Sequence, residues 1–355
     1  MLRIATANIN GIRATHRRGF GDWLAERGCD ILALQEVRAQ VDKLPAGAFG
    51  DRHVALDTGT LPGRNGVAVL TRHPPAAVRT WSGTALVGAP SVTDRPMATA
   101  SGDIARSSRH RPAEDSDPPP SAPGTAEPSG TAEPSGGAGI RPDLHRVPSL
   151  DHVPLARGLG PFAAAGRYLE VDLADAPLTI ACLYLPKGGL PAHLQRPERM
   201  REAPDGGARY ARKMAFMAAF SRYLTRTRRA AAAAGREFLL MGDLNIAHTR
   251  QDLAAWRRNQ NNDGFLPEER EWFGQQLSPR TLVDVVRHLH PDQDGPYSWW
   301  SWLGQSFAKG AGWRLDYHLA TPRLARAAVR AEVDREVRGQ RLSDHSPVVV
   351  DYDWP

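Results

Sequence analysis

Segment 241–248, with the sequence MGDLNIAH, places a carboxylate and a carboxamide one residue apart, at Asp243 and Asn245. The preceding segment 235–240 predicts a short buried strand, which Gly242 breaks. Because alternate side chains of an extended segment face the same way, the two polar groups should lie side by side at a strand end. One can orient or deprotonate a water while the other holds an oxyanion. The alternative is a polar strand end that only caps the next turn.

Other segments of strand length also carry polar groups at their ends. If these strands share packed sheets, the groups converge at one edge. Cysteine and histidine do not cluster as a zinc site requires, and there is no glycine-rich phosphate loop or Gly-x-Ser-x-Gly motif. Oxygen donors suit Mg²⁺, which pairs with substrate phosphate, so the pattern predicts metal-assisted hydrolysis of a phosphate ester. The groups are Asn8 and Asn10 in 2–10, Glu36 in 30–37, Tyr184 in 177–186, and Asp344 and His345 in 343–353, with Asp316 inside the further strand 312–320.

Each of these residues also has a purely structural explanation. His345 precedes an apolar strand and can be a buried core histidine. Asp316 can be the partner of Arg314 or Arg341 in an ion pair, and Glu36 can simply end a strand. An aspartate and a histidine together favour another arrangement. A carboxylate bonded to one ring nitrogen fixes the tautomer and holds the imidazole as a cation or donor.

The elements that must position these groups follow from periodicity and turn residues. An amphipathic helix begins near Phe20, and Gly28 ends it. Segments 166–173 and 177–186 predict a β-hairpin, and a further helix begins within 265–272.

A long helix is predicted over 208–234. Its opposite faces differ in character, which predicts one face in the core and one in solvent, with a DNA-facing role as the alternative for part of the basic face. The predicted core face comprises Tyr210, Met214, Met217, Ser221 and Leu224. The predicted solvated face comprises Arg209, Arg212, Lys213, Arg222, Arg226, Arg228 and Arg229.

Composition bounds the class of protein. The 355 residues are 41% hydrophobic and 24% charged, which is typical of a soluble globular chain. No apolar run reaches the ~20 residues of a spanning helix, so we expect no membrane association. The net charge is +6, which favours an anionic partner such as nucleic acid. The two cysteines, Cys29 and Cys182, predict reduced core residues, and without a secretory signal they favour a cytoplasmic protein.

Residues 90–161 differ from the rest of the chain. They include a proline triplet and two copies of TAEPSG, and no aromatic residue occurs from 91 to 160. Such a stretch buries too little apolar surface to offset its ordering entropy. We therefore expect a single domain over 1–355 that is interrupted by a disordered insertion at about 90–161. The insertion has seven arginines and nine acidic residues, so its net charge of −2 leaves +8 on the rest of the chain.

Seven motifs, in order along the chain, resemble those of exodeoxyribonuclease III and the apurinic/apyrimidinic endonucleases. Endings of the SDH type also occur across the wider endonuclease/exonuclease/phosphatase superfamily, whereas FLPEEREW and GWRLDY favour its DNA-repair branch. The resemblance covers nearly everything except the insertion. The motifs are ATANINGIRA (5–14), ALQEV (33–37), CLYLPKG (182–188), MGDLNIAH (241–248), FLPEEREW (265–272), GWRLDY (312–317) and LSDHSPV (342–348).

The resemblance implies a four-layer α/β sandwich, with two mixed β-sheets packed face to face and helices outside. It implies a DNA repair nuclease that uses Mg²⁺, with Mn²⁺ as the alternative ion. Such an enzyme cleaves duplex DNA 5′ to an abasic site, leaving a 3′-hydroxyl, and degrades 3′ ends as a 3′–5′ exonuclease. We expect a monomer that acts on the DNA of the nucleoid.

The resemblance also implies residue roles. Asp243 activates or orients the attacking water with Asn245 as its partner, and His345, paired with Asp316, binds the scissile phosphate. Tyr184 is a transition-state or phosphate ligand. Either Asp243 or the His345–Asp316 pair accepts the proton of the water. The expected metal-binding set is Glu36 with Asn10 nearby, together with Asp243, Asn245, Asp344 and His345.

Trp299, Trp313 and Leu315 match the positions of an apolar pocket for an extruded abasic sugar; the alternative is that these tryptophans belong to the core. Asn8 is expected beside the phosphate. Lys187 departs from the family pattern, which has glutamine, asparagine or a small polar residue there, and it can meet the same phosphate as a point charge. Two other functions are open: a phosphatase or phosphodiesterase for a small or lipid substrate, and a non-catalytic DNA-binding module.

Overall fold

The computed structural model describes residues 1–90, 143–150, 153–199 and 203–354. Most of the predicted insertion, residues 91–142 together with 151 and 152, therefore lies outside the described residues. Within the described ranges, no helix combines the length and the apolar character needed to span a membrane.

The described strands form two mixed sheets. The first has the strand order β13-β14-β1-β2-β4-β3-β6-β7, and the second has the order β11-β12-β10-β9-β8-β5. The first sheet contains β1 (Leu2–Asn8), β2 (Ile31–Gln35), β3 (His53–Asp57), β4 (Val67–Thr71), β6 (Thr84–Gly88), β7 (Leu144–Pro148), β13 (Ala328–Val333) and β14 (Val348–Tyr352). The second contains β5 (Ala77–Thr80), β8 (Tyr168–Asp172), β9 (Leu178–Tyr184), β10 (Glu237–Asp243), β11 (Val283–Asp284) and β12 (Asp316–Ala320).

The first four helices pack on the outer faces of these sheets, and the last two contribute residues to the apolar cluster between the sheets. They are α1 (Ile12–Arg17), α2 (Phe20–Arg27), α3 (Ala208–Ala233), α4 (Pro267–Gln276), α5 (Val285–Leu289) and α6 (Pro322–Arg326). One apolar cluster, which includes Ile4 and Ile180, fills the space between the sheets. A second cluster packs α2 on the first sheet, and a third packs α3 on the second. The predicted four-layer α/β sandwich is confirmed.

The predicted hairpin is also confirmed, because β8 and β9 pair antiparallel with Tyr168 opposite Leu183. The predicted break at Gly242 is wrong. Strand β10 runs through Gly242 to Asp243, with φ +138° at the glycine. A Cβ at this position would lie 2.0 Å from the carbonyl oxygen of Leu183, so glycine permits the close approach of β10 and β9.

Part of the predicted insertion is ordered. Leu144–Pro148 forms β7, which pairs antiparallel with β6. This segment is therefore a strand, and the prediction that it is disordered is wrong. Its short Leu-His-Arg-Val-Pro sequence has little apolar signal because an edge strand keeps one side towards solvent.

The predicted core face of α3 is shifted. Met217 and Leu224 are buried as expected, but Tyr210 and Met214 are only partly buried. Lys213, expected on the solvated face, has no exposed surface. The buried residues of the helix are Lys213, Phe216, Met217, Ala219, Phe220, Tyr223, Leu224, Thr227 and Ala231.

Candidate active site

The polar strand ends converge where the two sheets meet. Asp243 at the end of β10 lies opposite Tyr184 of β9 and opposite Asp316 of β12 in the strand register. From the first sheet, Asn8 ends β1, and Glu36 directly follows β2. The convergence expected from sequence is therefore present, and it joins segments more than 300 residues apart.

Asp243 is surrounded by donors although its side chain is 1% exposed. Its Oδ2 accepts from Nδ2 of Asn8 at 2.9 Å and from Nδ2 of Asn245 at 3.1 Å. Its Oδ1 accepts from the backbone N–H of Asn245 at 2.8 Å. Burial raises the pKa of Asp243 to about 7; the nearby His345 opposes this shift, and the charges of Asp316 and Glu36 add to it. A carboxylate with this pKa can take a proton near neutral pH.

His345 and Asp316 form the pair that the sequence suggested. His345 Nδ1 lies 2.8 Å from Asp316 Oδ2, while its Nε2 lies 3.8 Å from Asp243 Oδ2. The hydroxyl of Ser298 donates to Asp316 Oδ2 at 2.7 Å. Burial would lower the pKa of His345, but the charges of Asp316 and Asp243 raise it to about 10. The ring is therefore an imidazolium at neutral pH.

The alternative ion pairs of Asp316 do not form. Arg314 binds Asp252 and Asp284 instead. Arg341 donates to the backbone carbonyls of Trp300 and Asp344.

Side-chain oxygens that could bind a metal ion also lie near Asp243. Nδ2 of Asn8 donates to Oε1 of Glu36 at 2.8 Å, and Nδ2 of Asn10 donates to Asp344 at 2.8 Å. The guanidinium of Arg38 contacts Glu36 Oε2 and donates to Asn10 Oδ1. Glu36 Oε2 is buried, and Arg38 is its charged partner.

These groups fit a hard divalent cation. Carboxylate and amide oxygens with few further charges match the preference of Mg²⁺. Among the described residues, Asp243, Asp316 and His345 also form a group whose ligand atoms lie within 4.8 Å of one another. Oδ1 of Asp316 is buried without a hydrogen-bond partner, so an acceptor remains unused at this position.

Three of the expected site residues, and Arg38 beside them, have a backbone conformation that is uncommon for L-residues. The φ angles of Asn10, Glu36 and Asn245 are +43°, +55° and +48°. Such angles persist where surrounding contacts determine them, and they cluster at functional sites. Asn245 is therefore not extended as expected. Its side chain reaches Asp243 through this turn instead.

A cavity of about 350 Å³ opens above these groups. Trp299 and Trp313 meet edge to face in its wall, with ring centroids 6.2 Å apart, and Leu315 lies beside them. Trp300 is the tryptophan of this segment that belongs to the core, at 1% exposure. Lys187 is exposed at the rim of the cavity.

Sequence reasoning missed several residues of the site. Arg38 had a signal, because it stands two residues after Glu36. Ser298 and Arg167 had none, since a serine or arginine in a loop has many roles. Arg167 lies over the ring of Tyr184 at 4.7 Å and donates to its carbonyl at 3.0 Å. The missed residues that line or support the cavity are Arg38, Arg167, Asn262, Asp263, Gly264 and Ser298.

Tyr184 remains a phenol at this place. Burial raises the pKa of Tyr184 well above its ordinary value, and the charges of Glu36 and Asp243 raise it further. The guanidinium of Arg167 acts in the opposite direction but does not reverse the shift. The hydroxyl can therefore donate a hydrogen bond towards an anion in the cavity.

The chain is similar in sequence to a known family and to several of its nucleases. A model of the endonuclease/exonuclease/phosphatase family matches residues 5–345. The exodeoxyribonuclease of Bacillus subtilis is 41% identical over 110 residues, 31% of this chain and 42% of that protein. The DNA-(apurinic or apyrimidinic site) endonuclease of Dictyostelium discoideum is 39% identical over 118 residues, 33% of this chain and 32% of that protein. The chain thus matches less than half the length of these two relatives.

Solved structures share the fold. An AP endonuclease from Archaeoglobus fulgidus superposes with a TM-score of 0.64 at 22% identity and covers 99% of this chain and 100% of its own. A 3′ phosphatase from Neisseria, bound to a product DNA hairpin, superposes with a TM-score of 0.65 at 21% identity over 100% of both chains. At these identities the likeness concerns the architecture.

Proposed function

Because the chain belongs to the endonuclease/exonuclease/phosphatase family, we propose that it is a divalent-metal-dependent DNA repair nuclease. It incises duplex DNA 5′ to abasic sites and removes nucleotides from 3′ ends. One domain carries both activities, and the insertion lies within the predicted 90–161 but does not include β7. The observation that carries the proposal is the buried Asp243 carboxylate, held by Asn8 and Asn245 and facing the imidazolium of His345 in an apolar-walled cavity.

In this reaction a water oxygen attacks phosphorus while the bond from phosphorus to the 3′-oxygen breaks. The departing 3′-oxygen takes a proton from solvent, so one product ends in a 3′-hydroxyl, and the other keeps the 5′-phosphate on the abasic sugar. Asp243 takes the proton of the water, and Asn245 holds the carboxylate in line through its N–H and Nδ2. The pKa directions support Asp243 as acceptor, because the raised pKa of His345 leaves its ring already protonated.

His345 and Tyr184 meet the phosphate. The imidazolium, oriented by Asp316, and the phenol of Tyr184 present donors to the non-bridging oxygens. Donors of this kind stabilise the charge that develops in the transition state. Lys187, which lines the cavity, and Asn8, which donates to Asp243, are proposed to contact or position the phosphate.

Glu36 and Asn10 are proposed to hold the metal, with Asp243, Asn245 and Asp344 around it. His345, which was expected in this set, has no free ring nitrogen as an imidazolium and is assigned to the phosphate instead. A bound Mg²⁺ or Mn²⁺ supplies a Lewis acid for the phosphate and for the leaving 3′-oxygen. Arg38 must then move from Glu36 or share it.

The apolar wall gives the proposed selectivity. Trp299, Trp313 and Leu315 suit a sugar without a base, and flipping such a sugar costs less than flipping a paired nucleotide. The net charge of +8 outside residues 90–161 supports duplex DNA as the partner. Monomeric state and cytoplasmic location stay predictions.

The test uses an end-labelled duplex with one abasic site beside an undamaged blunt duplex. With Mg²⁺, we expect incision 5′ to the abasic site and slower shortening of the blunt 3′ ends. Chelator stops both reactions, and Glu36→Gln lowers both. Incision that continues in chelator, or a wild-type protein that leaves both duplexes intact, overturns the proposal.

A further inference from the structure

Lys213 is a buried cation beside the site. Its side chain and that of Glu269 are both 0% exposed, and Nζ lies 2.7 Å from Glu269 Oε1. Nζ also donates to the backbone carbonyl of Asn245 at 2.9 Å and to that of Lys187 at 3.3 Å. An ammonium has three donors, so each of them has a partner.

A contribution to stability does not by itself explain why the protein buries the Lys213–Glu269 ion pair. Two buried charges lose hydration that their attraction only partly returns, and apolar residues of similar volume often replace them without loss. The remaining partners of Lys213 are therefore informative. Two of its three hydrogen bonds go to the loops that follow β9 and β10, and both loops line the cavity.

The bond to Asn245 acts on the geometry of Asp243. Asn245 has a left-handed backbone, with φ +48°, and donates to both oxygens of Asp243. Its Nδ2 also donates to the carbonyl of Leu185 at 3.0 Å. By holding the carbonyl of Asn245, Lys213 restrains the backbone conformation of the residue that supplies these donors.

The stem of Lys213 shapes the second loop. Gly188 has φ +81°, and a Cβ there would lie 2.5 Å from Cδ of Lys213. The loop therefore packs directly on the aliphatic part of Lys213. Glu269 completes the arrangement, because its Oε2 accepts the N–H of Leu266 at 3.0 Å and ties the ion pair to the start of α4.

We propose that Lys213 is a positioning residue of the active site. Through the carbonyls of Asn245 and Lys187 it sets the relation between the two cavity loops, and through Asn245 it sets the orientation of the Asp243 carboxylate. This inference rests on the proposed nuclease function.

Three variants separate positioning from stability. Lys213→Met removes the charge at similar length, and Lys213→Met/Glu269→Met removes the whole ion pair. Arg79→Met is the control, because it breaks a part-buried ion pair with Asp172 at the far edge strand β5. Unfolding temperature and abasic-site kinetics are measured for each, the kinetics well below every unfolding temperature.

Lys213→Met lowers the unfolding temperature because Glu269 is left buried without its cation. The double variant regains most of that loss. In both, kcat falls on the order of 100-fold, as a misplaced group does, while KM stays within about threefold. Arg79→Met loses stability but keeps kcat. A double variant that regains kcat with stability, or a control that loses kcat equally, overturns the inference.

A double-mutant cycle with Asn245→Ala tests the route. If Lys213 acts through the side chain of Asn245, adding Lys213→Met to Asn245→Ala costs little further kcat. Independent losses that multiply contradict this route. Failure of the wild-type protein to incise abasic DNA would instead defeat the proposed function, so the two failures are distinguishable.

Discussion

Two buried aspartates, Asp243 and Asp252, have nearly the same exposure, 1% and 0%, and opposite electrostatic environments. Asp252 accepts from Arg314 at 2.8 Å and from Arg287 at 2.6 Å. Burial would raise the pKa of Asp252, but Arg314 and Arg287 lower it to about 2. Asp243 has amide donors and one imidazolium at 3.8 Å, and its pKa is raised to about 7.

The difference shows where the protein neutralises charge internally and where it does not. Arg314 also binds both oxygens of Asp284, at 2.9 and 2.7 Å, so two guanidiniums and two carboxylates balance one another. We name Asp252, Asp284, Arg287 and Arg314 the balanced ion network. In the cavity, acidic groups outnumber their cationic partners, an arrangement that lowers stability but leaves acceptors for a proton and a metal ion.

Arg314→Met breaks the balanced ion network and has the largest expected effect on stability. Asp252 and Asp284 would remain buried, but most of the positive charge that neutralises them would be gone. We expect the free energy of unfolding to fall by about 3–5 kcal/mol, measured by urea denaturation. A loss within ~1 kcal/mol would mean that the balanced ion network contributes little to the stability of the folded protein.

Asp316→Asn tests the cavity side. The amide keeps the shape of the carboxyl but no longer holds the His345 ring as an imidazolium. We expect kcat on abasic DNA to fall on the order of 100-fold, and the unfolding free energy to fall as well, because the buried pair that raises the pKa of His345 is broken. Equal activity in the two proteins would remove His345 from the phosphate-binding role.

Added Mg²⁺ should stabilise the protein through the cavity and not through the balanced ion network. At a concentration about 100 times the dissociation constant, a bound ion raises the unfolding free energy by ~2.7 kcal/mol. Wild type and Asp252→Asn should show this gain in thermal denaturation, whereas Glu36→Gln should not. A gain that persists in Glu36→Gln would place the ion elsewhere.

The pH dependence of stability, measured with chelator present, sharpens the contrast. The folded pKa of His345 is raised to about 10 from an ordinary 6.5. Its contribution is therefore complete below about pH 6.5 and is lost as pH rises towards 10. The stability difference between wild type and His345→Gln should shrink by up to ~1.4 kcal/mol per pH unit in this window.

The Asp252→Asn variant is the control for this titration. The folded pKa of Asp252 is lowered to about 2, so its contribution is lost only as pH falls below its ordinary 3.8. Between pH 7 and 10 its stability difference from wild type should stay constant. Two parallel profiles would contradict the comparison.

Much of the architecture and the convergence at the cavity could be predicted from sequence. Strand ends recur as apolar segments followed by Asn8, Glu36 or Asp243, and the motif order identified the family. Local patterns do not encode partners distant in sequence. From sequence, Lys213 is expected in solvent among the arginines of α3, yet it is buried with Glu269 and two backbone carbonyls as its partners. Ser298 supports Asp316 through contacts that no spacing reveals.

Short edge strands were equally difficult. Strand β7 has weak alternation, because pairing with β6 rather than its own apolar content orders it. The tryptophans show the same limit: Trp299 and Trp300 are adjacent, and only the fold decides that the first lines the cavity while the second joins the core.

The most direct test replaces each of the two aspartates by asparagine and measures abasic-site incision and unfolding in both variants. Asp243→Asn should lose activity by roughly 10³-fold and unfold at or above the wild-type temperature. Asp252→Asn should unfold at a lower temperature and keep wild-type kcat while folded. Incision that survives Asp243→Asn, or a loss of kcat in Asp252→Asn equal to that in Asp243→Asn, would contradict the assignment of catalysis to the unbalanced carboxylate.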